Sequence, residues 1–192
     1  PQCRVPREQP KPAYDGGMSE DALVLVGNDK GGSVSTLRVS DDALEVVATT
    51  EVGVGCSTFA VDVDLVYVAV KEPAPAVVTM RLDRTSGALT EVARRHVPDP
   101  LGYVAIVGGA TLLAASYHGG WAASYPVVDG VIGDPATRVE YRNAHAAVAD
   151  ATGQNAYVVS LGSDVIGQYS IGMDSELVEL SEPVVHVTPG VG

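Results

Sequence analysis

Two short segments of this sequence, SYHG and RNAH, carry side chains that suit acid–base chemistry. Histidine has an unperturbed pKa near neutral pH, so His145 could take a proton from water or return it to a leaving group. His118 could bind a ligand or shuttle a proton, with Tyr117 beside it. Asn143 could donate a hydrogen bond to a carbonyl oxygen, and Arg142 could attract an anion. We take His145 as the candidate catalytic residue and the other four as candidate binding residues.

Each of these residues also has a structural interpretation, which the sequence leaves open. His145 could be hydrogen-bonded within the fold, and Asn143 could simply serve a turn. Tyr117 and His118 could lie in a solvated turn, and Arg142 could be an ordinary surface residue. The sequence holds no G-x-S-x-G, P-loop, G-x-G-x-x-G or H-E-x-x-H motif. Any site must therefore be assembled from side chains that are scattered along the chain.

A repeat supplies the elements that could bring such side chains together. Four short apolar strands recur, LVLV from position 23, VYVA from 66, LLAA from 112 and AYVV from 156. The spacings between Leu25, Tyr67, Leu113 and Tyr157 are 42, 46 and 44 residues. Each strand leads through a turn that contains glycine or proline into a second strand, as at 34–39, 77–82, 121–127 and 165–171. Such regular self-similarity is the signature of a repeat architecture.

The complete repeat contains four strands. After the second strand, a turn rich in Asp, Gly and Ser leads to an outer strand, as at 44–48 and 89–93. Each repeat opens with a further strand, as at 58–63, 102–107 and 144–149. No stretch shows helical periodicity, and a β-sandwich has no reason to repeat at this period. The sequence therefore predicts an all-β fold, a β-propeller of about four consecutive four-stranded antiparallel blades.

In a propeller, the innermost strands and the loops at one end line a central channel. His145 would lie at the start of the innermost strand at 144–149. Asn143, two residues earlier, is expected on the same side of that extended strand. Tyr117 and His118 would lie in the hairpin turn of the preceding blade. The channel is therefore the place where these scattered residues would meet.

The chain divides into two parts. Residues 1–17 hold four of the twelve prolines and no apolar periodicity, so they are expected to form a flexible N-terminal tail. Residues 18–192 are expected to form a partial β-propeller domain. The repeats stop with one sheet face uncovered, which indicates either part of a longer propeller or four blades that close on themselves. An uncovered sheet could also support self-association of two chains.

Charge and cysteine content limit the classes of partner and the kinds of metal or disulfide site that we expect for this protein. The formal net charge of −12 argues against non-specific binding to nucleic acid or to an anionic membrane. No apolar run is long enough to span a bilayer. The two cysteines, Cys3 and Cys56, form no metal-ligand cluster with histidine, and the position of Cys3 in the expected tail argues against a disulfide. We expect no metal site and a cytoplasmic location.

Two stretches, LLAASYHGGWAASYPVVDGVIG and RNAHAAVADATGQNAYVVSLGSDVIGQYSI, resemble the lactonase-type seven-bladed propellers. These include the propeller-type 6-phosphogluconolactonases and the fungal carboxymuconate cyclases. The family typically has an N-Y-x-G-G-S-V-like turn, then a P-H-A-H segment, then a strand that leads to D-L-G-x-D. The resemblance covers residues 23–192. It departs at Ser116, which replaces the turn asparagine, and at Asn143, which replaces the first histidine of P-H-A-H.

The resemblance implies a seven-bladed propeller and a lactone hydrolase of the 6-phosphogluconolactonase type. Such an enzyme would open a sugar lactone in the central channel without a metal or an organic cofactor. The resemblance also implies a channel position for His145, which would activate water while polar groups stabilise the tetrahedral oxyanion. Two alternatives stay open. One is a carboxymuconate-type lactonising cyclase, and the other is a non-enzymatic propeller that binds partners, or an incomplete fragment.

Overall fold

The computed structural model describes residues 22–40 and 43–189. The expected tail at residues 1–17 lies outside the described residues, and so does Cys3. Within the described ranges all sixteen regular elements are β-strands, arranged in four antiparallel sheets. This part of the chain contains no helix with the length and hydropathy that a membrane crossing needs. The all-β prediction is confirmed.

Each sheet is an antiparallel meander, in which the first three strands pair in sequence order. The first sheet contains β1 (Leu23–Asn28), β2 (Ser33–Val39) and β3 (Leu44–Glu51). The second contains β4 (Thr58–Asp62), β5 (Leu65–Val70), β6 (Ala76–Leu82) and β7 (Leu89–His96). The third contains β8 (Tyr103–Val107), β9 (Thr111–Ser116), β10 (Trp121–Val128), β11 (Val131–Ile132) and β12 (Thr137–Glu140). The fourth contains β13 (Ala144–Ala149), β14 (Asn155–Ser160), β15 (Val165–Ile171) and β16 (Leu177–His186).

Two of these blades depart from the four-stranded prediction. The first sheet has three strands within the described residues. In the third sheet the outer strand is divided, because β11 pairs with one end of β10 and β12 with the other. Pro135 lies in the gap between β11 and β12, and proline has no N–H with which to continue the ladder. The interruption affects only the outer edge of the blade.

The middle strands are buried on both faces, because each inner sheet packs between two others. On β5, Tyr67 faces the third sheet, where it belongs to a cluster with Leu112 and Trp121. Its neighbour Val66 faces the first sheet and packs in a cluster with Val34. Successive residues of a strand point to opposite faces, so one apolar run serves two interfaces between blades. The sheets are thus stacked face to face, as in the predicted propeller.

The first strands of three sheets, β4, β8 and β13, lie side by side, with β8 in contact with both others. In an antiparallel meander, the start of the first strand and the end of the second lie at the same end of the sheet. The segments that precede β4, β8 and β13 therefore share one end of the molecule with the turns that follow β5, β9 and β14. That end is where residues from three blades can converge.

Exposed valines occur on the first and last sheets. On β1, Val24 and Val26 are exposed and alternate with Leu23 and Leu25, which pack toward the second sheet. On the outermost strand of the last sheet, β16, Val178 is exposed. The expected self-association through such surfaces stays a prediction.

Candidate active site

A cavity of about 410 Å³ opens at the shared end of the second, third and fourth sheets. It is lined by Ser57, Lys71, Pro100, Leu101, Gly102, Tyr117, His118, His145 and Leu161. Every one of these residues lies before or at the start of an innermost strand, or in the turn after the second strand of a sheet. The convergence therefore follows from the meander topology, which returns the chain to this end in each blade.

His145 is the second residue of β13, and it is exposed. The pairing of β13 with β14 shifts register between Ala144 and Ala146, which leaves His145 at a β-bulge. Bulges re-aim a side chain relative to the regular alternation of a strand. Here Ala144 packs in the cluster between the third and fourth sheets, while His145 lines the cavity. The structure thus brings His145 to the cavity, and its catalytic role stays a prediction.

Tyr117 and His118 lie in the turn between β9 and β10, as the sequence predicts. The Tyr117 ring is nearly perpendicular to both histidine rings. Its centroid lies 5.2 Å from the ring centroid of His118 and 6.1 Å from that of His145. Ser116 shapes this turn, because its hydroxyl donates to the carbonyl oxygen of Pro100 (2.8 Å) and accepts from a backbone amide of the turn (3.1 Å). Ser116 therefore holds the turn against the segment that precedes β8.

Asn143 does not lie on the extended strand with His145, so that part of the prediction is wrong. Asn143 precedes β13 and has a φ of 53°, in the left-handed region, whereas an extended strand requires a negative φ. Asparagine is one of the few residues other than glycine that tolerate this region. Its side-chain amide donates to the carbonyl oxygen of Tyr117 (3.4 Å). Asn143 therefore joins the segment before β13 to the turn that carries Tyr117.

Arg142 contributes its backbone to the same corner of the fold. Its carbonyl oxygen accepts hydrogen bonds from the Ser160 hydroxyl (2.8 Å) and from the Gly162 amide (3.1 Å). The residue is exposed and does not belong to the lining of the cavity. The structure therefore does not bring Arg142 together with His145 in one cavity, and an anion-binding role for Arg142 stays a prediction.

The sequence offers no signal for two of the lining residues, Ser57 and Lys71. Lys71 lies in the proline-containing turn after β5, in a segment without histidine. Its ammonium group is 3.6 Å from the carboxylate of Asp29, and both side chains are 45% exposed. An ion pair this exposed contributes little to stability. The Asp29 oxygen nearest the ammonium group is nevertheless buried, and it has no hydrogen-bond partner among the described residues.

None of the described residues that line the cavity is acidic, although the chain carries a formal net charge of −12. Among the described residues, no group of three or more His, Cys, Asp or Glu side chains is arranged to hold a metal ion. Cys56, next to Ser57, is buried, and its thiol donates to the carbonyl oxygen of Ser33 (3.2 Å). Burial raises the pKa of this thiol, so it stays protonated and is a poor nucleophile at neutral pH.

A larger cavity, of about 820 Å³, lies at the opposite ends of β8 and β13. The only acidic residue among its described lining is Asp150, which bonds within its own turn to the Thr152 hydroxyl (2.7 Å) and the Asn155 amide (2.8 Å). Some buried polar atoms of the described residues have no hydrogen-bond partner, but none of them belongs to a residue that lines this larger cavity. The smaller cavity, which holds both histidines, is therefore the candidate site.

Removal of the Asp150 carboxylate should destabilise its turn in a pH-dependent way. Hydrogen bonds from Thr152 and Asn155 lower its pKa from 3.8 to about 2. Because the pKa is lower in the folded state, the stabilisation is present above about pH 4 and is lost as the pH falls toward about 2. Asp150→Ala should lower the melting temperature at neutral pH and have little effect near pH 2. Asp174→Ala, in an exposed turn, is the control, and a pH-independent effect of Asp150→Ala would contradict the prediction.

Comparison with known proteins identifies the family of the chain. A family model described as "Lactonase, 7-bladed beta-propeller" matches residues 14–192. A 6-phosphogluconolactonase of Sodalis glossinidius (strain morsitans) is 30% identical over 129 residues, which are 66% of this chain and 38% of that protein. This chain therefore spans less than two thirds of that relative's length.

Solved structures show the same fold. A periplasmic gluconolactonase of Pseudomonas aeruginosa matches with a TM-score of 0.77 at 18% identity, over 88% of this chain and 56% of that one. A protein from Bacteroides fragilis NCTC 9343, named as a candidate 6-phosphogluconolactonase, matches with a TM-score of 0.76 at 20% identity, over 92% and 58%. Since one of these proteins is periplasmic, the cytoplasmic location stays a prediction. The family match over most of the chain, together with the stacked blades, shows that the chain belongs to the seven-bladed β-propeller lactonases.

Proposed function

We propose that the protein, in its full length, hydrolyses a sugar lactone of the 6-phosphogluconolactone type at the cavity that His145 lines. The observation that carries the proposal is the meeting of His145, Tyr117, His118 and Lys71 at one cavity of about 410 Å³. Cavities of about 300–1,000 Å³ are typical of small-molecule sites. Because the chain spans only part of its relatives' length, the proposal concerns the whole protein, and this cavity is the share of the site that these blades supply.

In the proposed reaction, His145 takes a proton from water as the water oxygen attacks the carbonyl carbon of the lactone. The carbonyl oxygen becomes an oxyanion, and Tyr117 and His118 are the neighbouring side chains that can donate hydrogen bonds to it. Collapse of the intermediate breaks the bond between the carbonyl carbon and the ring oxygen, and His145 returns its proton to that oxygen. The product is the open-chain hydroxy acid, and water is the only other reactant.

The full-length protein should accelerate the hydrolysis of 6-phosphogluconolactone above its spontaneous rate, measured as acid release at constant pH. Typical enzymes reach a kcat/KM of about 10⁴–10⁸ M⁻¹s⁻¹, which is readily separated from the background. Glucono-1,5-lactone and a carboxymuconolactone should be assayed in parallel. Turnover of the muconolactone alone would assign the cyclase instead, and turnover of none of the three would overturn the proposal in favour of a binding scaffold.

A further inference from the structure

We propose that Lys71 is the specificity-determining residue of this site and that it recognises a phosphate group on the substrate. The inference rests on the lactonase function proposed above. It concerns how the protein recognises the part of the substrate that lies away from the reacting carbonyl. Lys71 follows β5 in the second sheet, whereas His145 lies in β13 of the fourth. The third sheet stands between them and contributes Tyr117. A ligand that reaches both residues must therefore extend across the cavity.

The backbone at Lys71 is fixed by the preceding connection between sheets. Its amide donates to the carbonyl oxygen of Val54 (2.8 Å), and the amide of Gly55 in that connection donates to the carbonyl oxygen of Asp29 (2.8 Å). Three segments, the turn after β1, the connection before β4 and the turn after β5, are thus joined at this wall of the cavity. The start of the lysine side chain consequently has a defined position.

Gly55 also supports the aliphatic part of the lysine side chain. A Cβ at Gly55 would lie 2.5 Å from Cγ and 2.7 Å from Cβ and Cδ of Lys71, and the φ of Gly55 is 88°. Only glycine suits a backbone in this conformation with a side chain packed so closely against it. The carbons of Lys71 are therefore held, while its ammonium group is partly exposed beside Asp29. Such preorganisation reduces the entropy that is lost when a ligand binds.

The charge of the cavity favours an anion at this position. Lys71 is the only lysine or arginine among the described lining residues, and no acidic residue belongs to that lining. The Asp29 carboxylate at 3.6 Å is beyond hydrogen-bond distance, and an ammonium group has three N–H donors. Phosphate offers oxygen acceptors and up to two negative charges. In a chain with a formal net charge of −12, such a substrate needs a local cation of this kind.

The test is steady-state kinetics of the full-length protein with 6-phosphogluconolactone and with glucono-1,5-lactone, which lacks the phosphate. Lys71→Met removes the charge and keeps the length of the side chain. It should raise KM for the phosphorylated lactone by about 10-fold to 100-fold and leave KM for the other lactone unchanged. Lys71→Arg should retain most of the preference. Lys30→Met is the control, because Lys30 is exposed in the turn between β1 and β2 and does not line the cavity.

A second measurement separates this inference from the lactonase function. Calorimetric binding of 6-phosphogluconate and of gluconate requires no turnover, so it reports on Lys71 even if neither lactone is hydrolysed. We expect the unaltered protein to prefer 6-phosphogluconate and Lys71→Met to lose that preference. Equal kinetic losses on both lactones, or an unchanged binding preference in Lys71→Met, would overturn the assignment of Lys71 to phosphate. If the unaltered protein hydrolyses neither lactone but prefers 6-phosphogluconate, and Lys71→Met loses that preference, the result counts against the lactonase function alone.

Discussion

Replacement of His145 by alanine in the full-length protein should lower kcat/KM for lactone hydrolysis by about 10²–10⁴-fold. A general base that is held within reach of the attacking water accelerates a reaction by this factor, and alanine has no group that can accept the proton of the water. His145 is exposed at the bulge of β13 and lines the cavity, so its side chain can be removed without opening the packed interface between blades. The measurement is acid release at constant pH, with far-ultraviolet circular dichroism to show that the variant is folded.

A matched control exists within the same blade. His186 is also exposed but lies at the end of the outermost strand, β16, so His186→Ala removes a histidine without touching the cavity. It should retain full activity. If His145→Ala and His186→Ala are equally active, His145 is not the base of the reaction. If both lose activity together with their circular dichroism signal, the loss reports on folding, and His145→Gln then provides the comparison at nearly constant side-chain volume.

The strands of the fold follow from the sequence because side-chain alternation and spacing are local properties. The run VYVA in β5 places Val66 and Tyr67 on opposite faces, and both faces are buried because a blade packs on each side. The recurrence of similar apolar runs predicts the four sheets that the described residues form. The predicted inner strands at 58–63 and 102–107 are one residue longer than β4 and β8. Val63 has a φ of 49° and already belongs to the turn.

The candidate site is less predictable because it depends on contacts between distant segments. A histidine is recognisable by its chemistry, and His145, Tyr117 and His118 do line one cavity. Asn143 shows what the sequence cannot predict, because nothing in the segment RNAH indicates the left-handed backbone of Asn143 or the bulge at His145. Lys71 is a second residue that the sequence does not predict at the site, because only the stacking of the blades brings a lysine from the second sheet to a cavity shared with the fourth sheet. Local pattern gives the elements, and tertiary packing decides which side chains meet.

The largest expected effect on stability is at Trp121, which is fully buried between the second and third sheets. Its indole N–H donates to the Asp99 carboxylate (2.8 Å), and the Arg138 guanidinium lies 4.9 Å from the ring centroid. Trp121→Ala should reduce the free energy of unfolding by about 3–5 kcal/mol through lost burial and the cavity left behind. Domains are typically stable by about 5–15 kcal/mol, so this variant should unfold at much lower denaturant concentration.

Trp121→Phe separates the two contributions of the indole. It keeps an aromatic ring between the blades but leaves the Asp99 carboxylate without the N–H donor, which should cost about 1–3 kcal/mol. Urea unfolding should be followed by circular dichroism, because Trp121 is the only tryptophan of this sequence and its fluorescence is lost with it. Met173→Ala, at a fully exposed side chain, should leave the unfolding midpoint unchanged. We expect Trp121→Ala to be less stable than Trp121→Phe, because only the alanine variant loses the aromatic ring between the blades. Equal stability of the two variants would contradict this prediction and would show that packing of the ring contributes little.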